Sequence, residues 1–266
     1  MHMQSKLKAS FRIVLGTATA QAQMTRHNIE DFYPVIAIPL VGLAPIVIFM
    51  HAGRSDLVVY AFVSIVIMTI GQMGLFTGSE SVSYDRRSQI LELIVASPAS
   101  YFTLLATRTL VLTSIGNLGI LIGWIFANIF FAAQINVFYP GVFISSVLMT
   151  TLATTGLSII TSALFSLAKN IRTFQNAVNG PLYLLGGVLV PVTFLPDWIQ
   201  TASPFVFFYW SAGLMRDALQ PAVPEHVLLR LSVIFAFALV AAGIGALLIR
   251  HMLTHLRREG TLGLVD

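Results

Sequence analysis

Residues 57–78 read LVVYAFVSIVIMTIGQMGLFTG, and residues 79–102 continue SESVSYDRRSQILELIVASPASYF. The first run contains no Asp, Glu, Lys or Arg. At about 1.5 Å of rise per residue it is long enough, as a helix, to cross a hydrocarbon core of roughly 30 Å. The second run gathers Glu80, Asp85, Arg86, Arg87 and Glu92 in a chain of which only 10% is charged. Another long apolar run follows. The pattern describes a helix that crosses a membrane, shows a charged turn outside it, and returns.

The rest of the composition agrees. Of 266 residues, 56% are hydrophobic, and the mean hydropathy is +0.84. Soluble domains average about a quarter charged residues, so this chain belongs in a bilayer. With no cysteine, disulfides, thiolate catalysis and cysteine-ligated metal or iron–sulfur sites are excluded. The net charge of +4 lies in no basic stripe. It is read as the accumulation of Lys and Arg in cytoplasmic loops, with no nucleic-acid partner. The first thirty residues lack the apolar core and small-residue site of a cleaved leader.

Six spans are expected, at about 34–50, 57–78, 104–132, 141–168, 180–195 and 228–250. Before them, Leu7, Phe11, Val14, Leu15, Ala18 and Ala22 form one apolar stripe, with Lys6, Lys8 and Arg12 off it. Residues 1–33 are therefore read as a cytoplasmic amphipathic helix in the membrane interface, the alternative being a soluble helix packed on a partner. Residues 34–252 are read as the six-span transmembrane domain and 253–266 as a cytoplasmic tail. Six spans put both termini on one side. Placing them inside leaves only Arg54, Arg216 and Arg230 of the fifteen Lys and Arg residues outside. The positive-inside bias thus puts both termini, the loop at 79–103 and the second inner loop with Lys169, Asn170 and Arg172 in the cytoplasm.

After the short fifth run comes PVTFLPDWIQTASPFVFFYW, too apolar for a free loop and too rich in proline for one straight helix. Residues 195–221 are read as an outer re-entrant or interfacial hairpin, with Trp198, Tyr209 and Trp210 at headgroup depth; an ordinary packed outer cap is the alternative.

The chain has no P-loop: its lysines are Lys6, Lys8 and Lys169, and none follows glycine. His251 and His255 have the spacing HxxxH, but Met252 stands where a zinc protease has its glutamate, and two histidines on a basic helix end are the simpler reading. No metal site is expected. The spans carry no central carboxylate, which argues against a proton-driven carrier. Gly74 with Gly78, and Gly119 with Gly123, have the spacing that lets helices approach closely.

In the charged stretch, Ile90, Leu91, Leu93, Ile94 and Val95 surround Glu92 ahead of Pro98, so a short amphipathic helix should end there and turn into the third span. Such a helix offers a docking surface to a soluble partner. SESVSYDRRSQILELIVASPAS resembles a pattern of type-2 ABC exporter membrane subunits: a glutamate leaving the second span, a basic and polar turn, then a Leu-Glu-Leu helix ending in Ser-Pro. GGVLVPVTFLPDWIQTASPFVFFYWSAGLMRD resembles that family's second marker at Gly187, Pro191, Leu195, Pro196, Pro204, Tyr209 and Arg216. The resemblance covers nearly the whole chain. It departs where the family has Gly-Thr before the Leu-Glu-Leu helix and this chain has Ser88-Gln89-Ile90.

The resemblance implies an all-α permease with no ATPase of its own and no cofactor in this chain. ATP and Mg would be bound by two copies of a separate ATPase. That partner would dock on a cytoplasmic coupling helix through Glu80, Asp85, Arg86, Arg87, Ser88, Gln89, Glu92 and Pro98. A second, identical permease chain would complete the unit in a bacterial inner membrane. The implied cargo is amphipathic: a drug or antibiotic, a lipid-linked molecule or a polysaccharide. A secondary carrier and a membrane-embedded enzyme acting on lipid-like substrates are the alternatives. The enzyme would have to work with Asp56, Asp197, Asp217 and Glu225 on the outer side. An immunity or scaffold protein that moves nothing is the third rival.

Overall fold

In hydrocarbon every backbone N–H and C=O must be satisfied within the protein, and a helix does this within its own segment. The computed structural model describes residues 2–96, 100–165 and 171–259. Among the described residues every regular element is helical and none is a strand.

The chain opens with α1 (His2–His27) and, after an extended Asn28, α2 (Ile29–His51), a helix with Pro34, Pro39 and Pro45 inside it. A turn at Gly53 leads to α3 (Ser55–Gly71), whose axis continues through a π-helical turn at Gln72–Gly78 toward α4 (Ser81–Arg87). After the short α5 (Leu91–Ala96), the third span is built from α6 (Tyr101–Gly116) and α7 (Leu118–Ile125) with a π turn at Phe126–Phe130. Then come α8 (Pro140–Phe165), α9 (Ile171–Leu185), the short α10 (Asp197–Ala202) and α11 (Phe207–Ala218), and the long α12 (Val227–Glu259).

Five helical stretches among the described residues are long and apolar enough to cross a membrane: Asp31–His51, Leu57–Asp85, Tyr101–Phe130, Pro140–Leu164 and Val227–Thr254. They correspond to the first four and the last of the six expected spans. The expected fifth, at 180–195, is not a helix of spanning length. α9 starts earlier, at Ile171, and stops at Leu185, because Gly187 takes φ +60 and Pro191 follows. α12 runs past the expected boundary at 252, so the tail begins as helix.

The second span is the hub. Phe62, Ile65, Ile67, Ile70, Met73 and Leu75 are fully buried among the other helices. Its glycines make that closeness possible. A Cβ on Gly74 would lie 2.6 Å from Thr154 Cγ2 of α8, and one on Gly119 of α7 would lie 2.5 Å from Thr69 Cγ2 of α3. Both glycine pairs read from the sequence therefore serve packing within this bundle, among the second, third and fourth spans. α8 carries a buried row of small hydroxyls, Ser146, Thr150, Thr154, Ser158 and Ser162. They bond mostly to their own backbone, and Ser158 crosses to the Gly74 carbonyl at 2.7 Å.

α1 is oriented oppositely to a helix of a soluble protein. Phe11 (67% exposed) and Leu15 point away from the protein, while Gln21 and Thr25 are buried on the side that packs against α6.

Candidate functional site

The end of the second span that leads into α4 rests on a separate apolar cluster. Val82 of α4, Leu91 of α5, Tyr101 and Leu105 of α6, Ile159 and Ala163 of α8, and Ile249 and Met252 of α12 pack together beneath it. Leu91 is fully buried and Leu93, two residues on, is 72% exposed. The short helix is thus anchored by one side and offers the other. Between α4 and α5, Gln89 takes φ +56, a left-handed conformation that glycine adopts without steric cost. It stands at the departure from the Gly-Thr pattern, and the conformation gives a physical reason for glycine there.

Of the residues expected to meet a partner, Ser88 and Gln89 are exposed and Glu80 is half-buried at the entry to α4. Arg86, Arg87 and Glu92 lie on α4 and α5, and their side chains fall outside the described residues, as do Pro98, Lys169 and Asn170. Arg172 sits in the first turn of α9, its side chain likewise outside. Three residues further along α9, buried Gln175 donates to Ser79 Oγ at 3.0 Å, tying the start of α9 to the end of the second span.

Asp85 differs from the rest. It is buried, not turned to solvent, and both its carboxylate oxygens accept from Arg108 Nη1, at 2.7 and 2.8 Å. Tyr101 Oη donates to the same carboxylate at 3.3 Å. Arg108 Nε donates to Gln21 Oε1 at 3.0 Å, and Gln21 Nε2 donates to Thr25 Oγ1 at 3.2 Å. One guanidinium therefore joins α1, α4 and α6. Beside it lies a polar cavity of about 560 Å³, with Gln21, Asp31, Thr77, Glu80, Ser81 and Arg108 in its wall. Sequence reasoning counted Arg108 only as an inner positive charge. A cation seven residues into an apolar span was the signal to look for its partner.

A second cavity, of about 630 Å³, lies between the first two spans. Its wall is mostly apolar, with Pro34, Pro45, Phe49, Met68, Leu189 and Pro191, and it includes Tyr60, Ser64 and Gln72 as polar points. An apolar hollow with few polar groups is the usual form of a site for an apolar or amphipathic ligand.

At the far end the segment after α9 is clasped to the second span. Arg216 of α11 is buried, stands 3.8 Å over the Tyr60 ring, and donates to the Gly187 carbonyl. Ser64 Oγ donates to the next carbonyl, Val188. Asp217 pairs with Arg230 of α12. The other residues read as an outer hairpin lie around this clasp. Pro191, Leu195, Pro204 and Tyr209 are half-buried, and Pro196 and Trp198 (72% exposed) face outward. Trp210 Nε1 donates to the Pro204 carbonyl at 2.9 Å, closing the turn between α10 and α11. His251 lies on the C-terminal part of α12, and the side chain of His255 lies outside the described residues.

Compared with known families, residues 16–220 match the one described as ABC-2 type transporter. The matched stretch takes in the three-helix junction at Arg108, the apolar cavity and the Arg216 clasp. No curated protein matches the chain.

Proposed function

The chain belongs to the ABC-2 type transporter family, whose members are membrane permeases and not themselves ATPases, and on that premise we propose that it is the permease subunit of an ATP-driven exporter, docked to its ATPase through α4, α5 and the turn between them. The observation that carries this reading is the placement of that segment. It continues the most buried span, stands on its own apolar cluster and leaves Ser88, Gln89 and Leu93 exposed. Glu80, Arg86, Arg87, Glu92 and Pro98 act from this surface, with Lys169, Asn170 and Arg172 beside it. Asp85 contributes by holding α4 in place.

The unit contains two identical permease chains and two ATPase chains, which bind ATP and Mg. Residues 1–33 lie in the inner interface, which the outward-facing Phe11 and Leu15 favour. The sixth crossing is made by α9 with the irregular stretch to 195. Its backbone breaks at Gly186 and Gly187 inside protein, where neighbouring groups satisfy it. Residues 195–221 form the outer hairpin, 34–252 the permease domain, and both termini are cytoplasmic in a bacterial inner membrane. The largely apolar cavity beside the second span suits an amphipathic cargo.

Reversing Arg87 and Glu92 together tests the docking surface. Charge-assisted contacts at a partly desolvated interface are worth about 1–3 kcal/mol each. Losing two should reduce co-purification of the ATPase at least tenfold and leave insertion unchanged. Wild-type recovery of the ATPase and wild-type export would reduce the loop to a solvated connector. Topology is tested separately with the cysteine-free chain as background. An impermeant thiol reagent should label Thr201→Cys, exposed on α10, in intact cells. Tyr84→Cys should react only after the cells are opened, and the reverse pattern overturns the orientation.

A further inference from the structure

We infer that Arg108 is a positioning residue that locks α1 to α4, so that force applied at the docking loop reaches the apolar cavity through the first span as well as the second. The inference rests on the reading of α4 and α5 as the ATPase-docking segment.

The geometry of the guanidinium sets up the lock. Its Nη1 serves both oxygens of Asp85 on α4 while its Nε serves Gln21 on α1, at 2.7, 2.8 and 3.0 Å. A guanidinium is planar, with donors in fixed directions, so the two acceptors are held at a fixed mutual angle. Gln21 is fixed in turn by Thr25 of its own helix, and Asp85 by Tyr101. The Asp85 side chain is 1% exposed and stands beside the apolar cluster of Val82, Leu91 and Leu105. If α4 shifted alone, it would carry that carboxylate off its only ion-pair partner among the described residues and into surroundings that do not solvate charge. The low-cost motion is the one in which α4, Arg108 and α1 travel together.

What α1 carries with it follows from chain connectivity. Only Asn28 separates α1 from α2, and α2 forms one wall of the 630 Å³ cavity through Pro34, Pro45 and Phe49. The opposite wall, Tyr60, Ser64 and Met68, belongs to the second span, whose axis leads directly to α4. Movement of the loop therefore acts on both walls, by two routes that diverge at α4: one along the second span, the other through Arg108 to α1. The polar cavity between α1 and the ends of spans two and three, walled by Gln21 and Arg108, changes shape with the same movement.

The test uses the tagged chain purified from its source cells with the ATPase that accompanies it, placed in nanodiscs. Spin labels at Ala22→Cys on α1 and Tyr84→Cys on α4, both exposed, report the distance between the two helices. A second pair, Ala22→Cys with Ser232→Cys on α12, reports movement of α1 against the bundle. The expected result on adding ATP is an unchanged 22–84 distance and a shifted 22–232 distance. Two variants weaken the lock without leaving Asp85 unpaired. Arg108→Lys keeps the charge but loses the fork, and Gln21→Leu removes only the α1 limb. In both, the 22–84 distance should broaden and shift with ATP while ATP hydrolysis continues at the wild-type rate. A 22–84 distance that changes with ATP in the wild type overturns the inference, as do variants with wild-type distances. If the Arg87 and Glu92 reversal leaves ATPase binding intact, the docking reading fails on its own, and the wild-type distances still decide whether α1 and α4 move together.

Discussion

Arg108→Met should destabilise the protein by about 3–5 kcal/mol, the range found when one member of a buried ion pair is removed. The size of the effect comes from what is left behind. Among the described residues the Asp85 carboxylate would keep only the Tyr101 hydroxyl, at 3.3 Å, in a site where it is 1% exposed. It would then either stay charged without compensation or take up a proton, and both are costly. Replacing both members, as Asp85→Leu with Arg108→Met, should recover most of the loss, because an apolar pair of similar volume extends the cluster of Val82, Leu91 and Leu105. Thermal unfolding in detergent, followed by helical circular dichroism, measures both. A single variant within about 1 kcal/mol of wild type would show that water reaches Asp85. If the double variant regains stability but not export, then the pair serves transmission of movement and not folding.

Arg216→Met should have the next largest effect, at the other end of the second span. Methionine keeps much of the apolar stem but loses the cation over the Tyr60 ring, a contact worth about 2 kcal/mol when desolvated. It also strips the donor from the Gly187 carbonyl, and an unpaired buried carbonyl costs about 1–3 kcal/mol. Part of this is returned, because a guanidinium no longer has to be buried, with its Nε unpaired. The remainder should appear as a lower unfolding temperature and as faster thiol labelling of Leu189→Cys in the loosened segment. Unchanged labelling would place the hold on that segment elsewhere, with the Ser64 hydroxyl on Val188 and the Val188 N–H on the Tyr183 carbonyl among the remaining contacts. Arg216→Lys should rescue little, since a point charge does not reproduce the stacked fork.

The sequence was most legible where one physical cause dominates. Apolar runs of spanning length became helices at the first four expected spans and the last, because hydrocarbon admits little else. The charged stretch was legible as an excursion, and Leu91 inward with Leu93 outward is the amphipathic helix its pattern predicts. The expected fifth span was lengthened by counting apolar residues across Gly186, Gly187 and Pro191, where backbone conformation and not hydropathy decides. Asp85 was grouped with its charged neighbours because its partner lies 23 residues away in sequence, on another helix. No local spacing reveals a pair of that kind. The orientation of α1 was legible in its stripe but not in its consequence: the face turned to the protein is polar because Gln21 has Arg108 to hold.

The π-helical turn at Gln72–Gly78 bears on how this gene can change. A π turn accommodates one residue more than the α-helix around it, so deletion of a single codon there would be absorbed by closing the turn to ordinary α geometry, with the span still intact. A deletion in the ordinary α geometry of α3 has no spare residue to give up, and it would rotate everything downstream by about 100°, the angle of one residue in a helix of 3.6 per turn. Asp85 would then swing out of reach of Arg108. Lineages of this family can thus lose a residue within Gln72–Gly78 while the acid keeps its place against the guanidinium. Loss elsewhere in the span would have to be matched by a carboxylate at a new position.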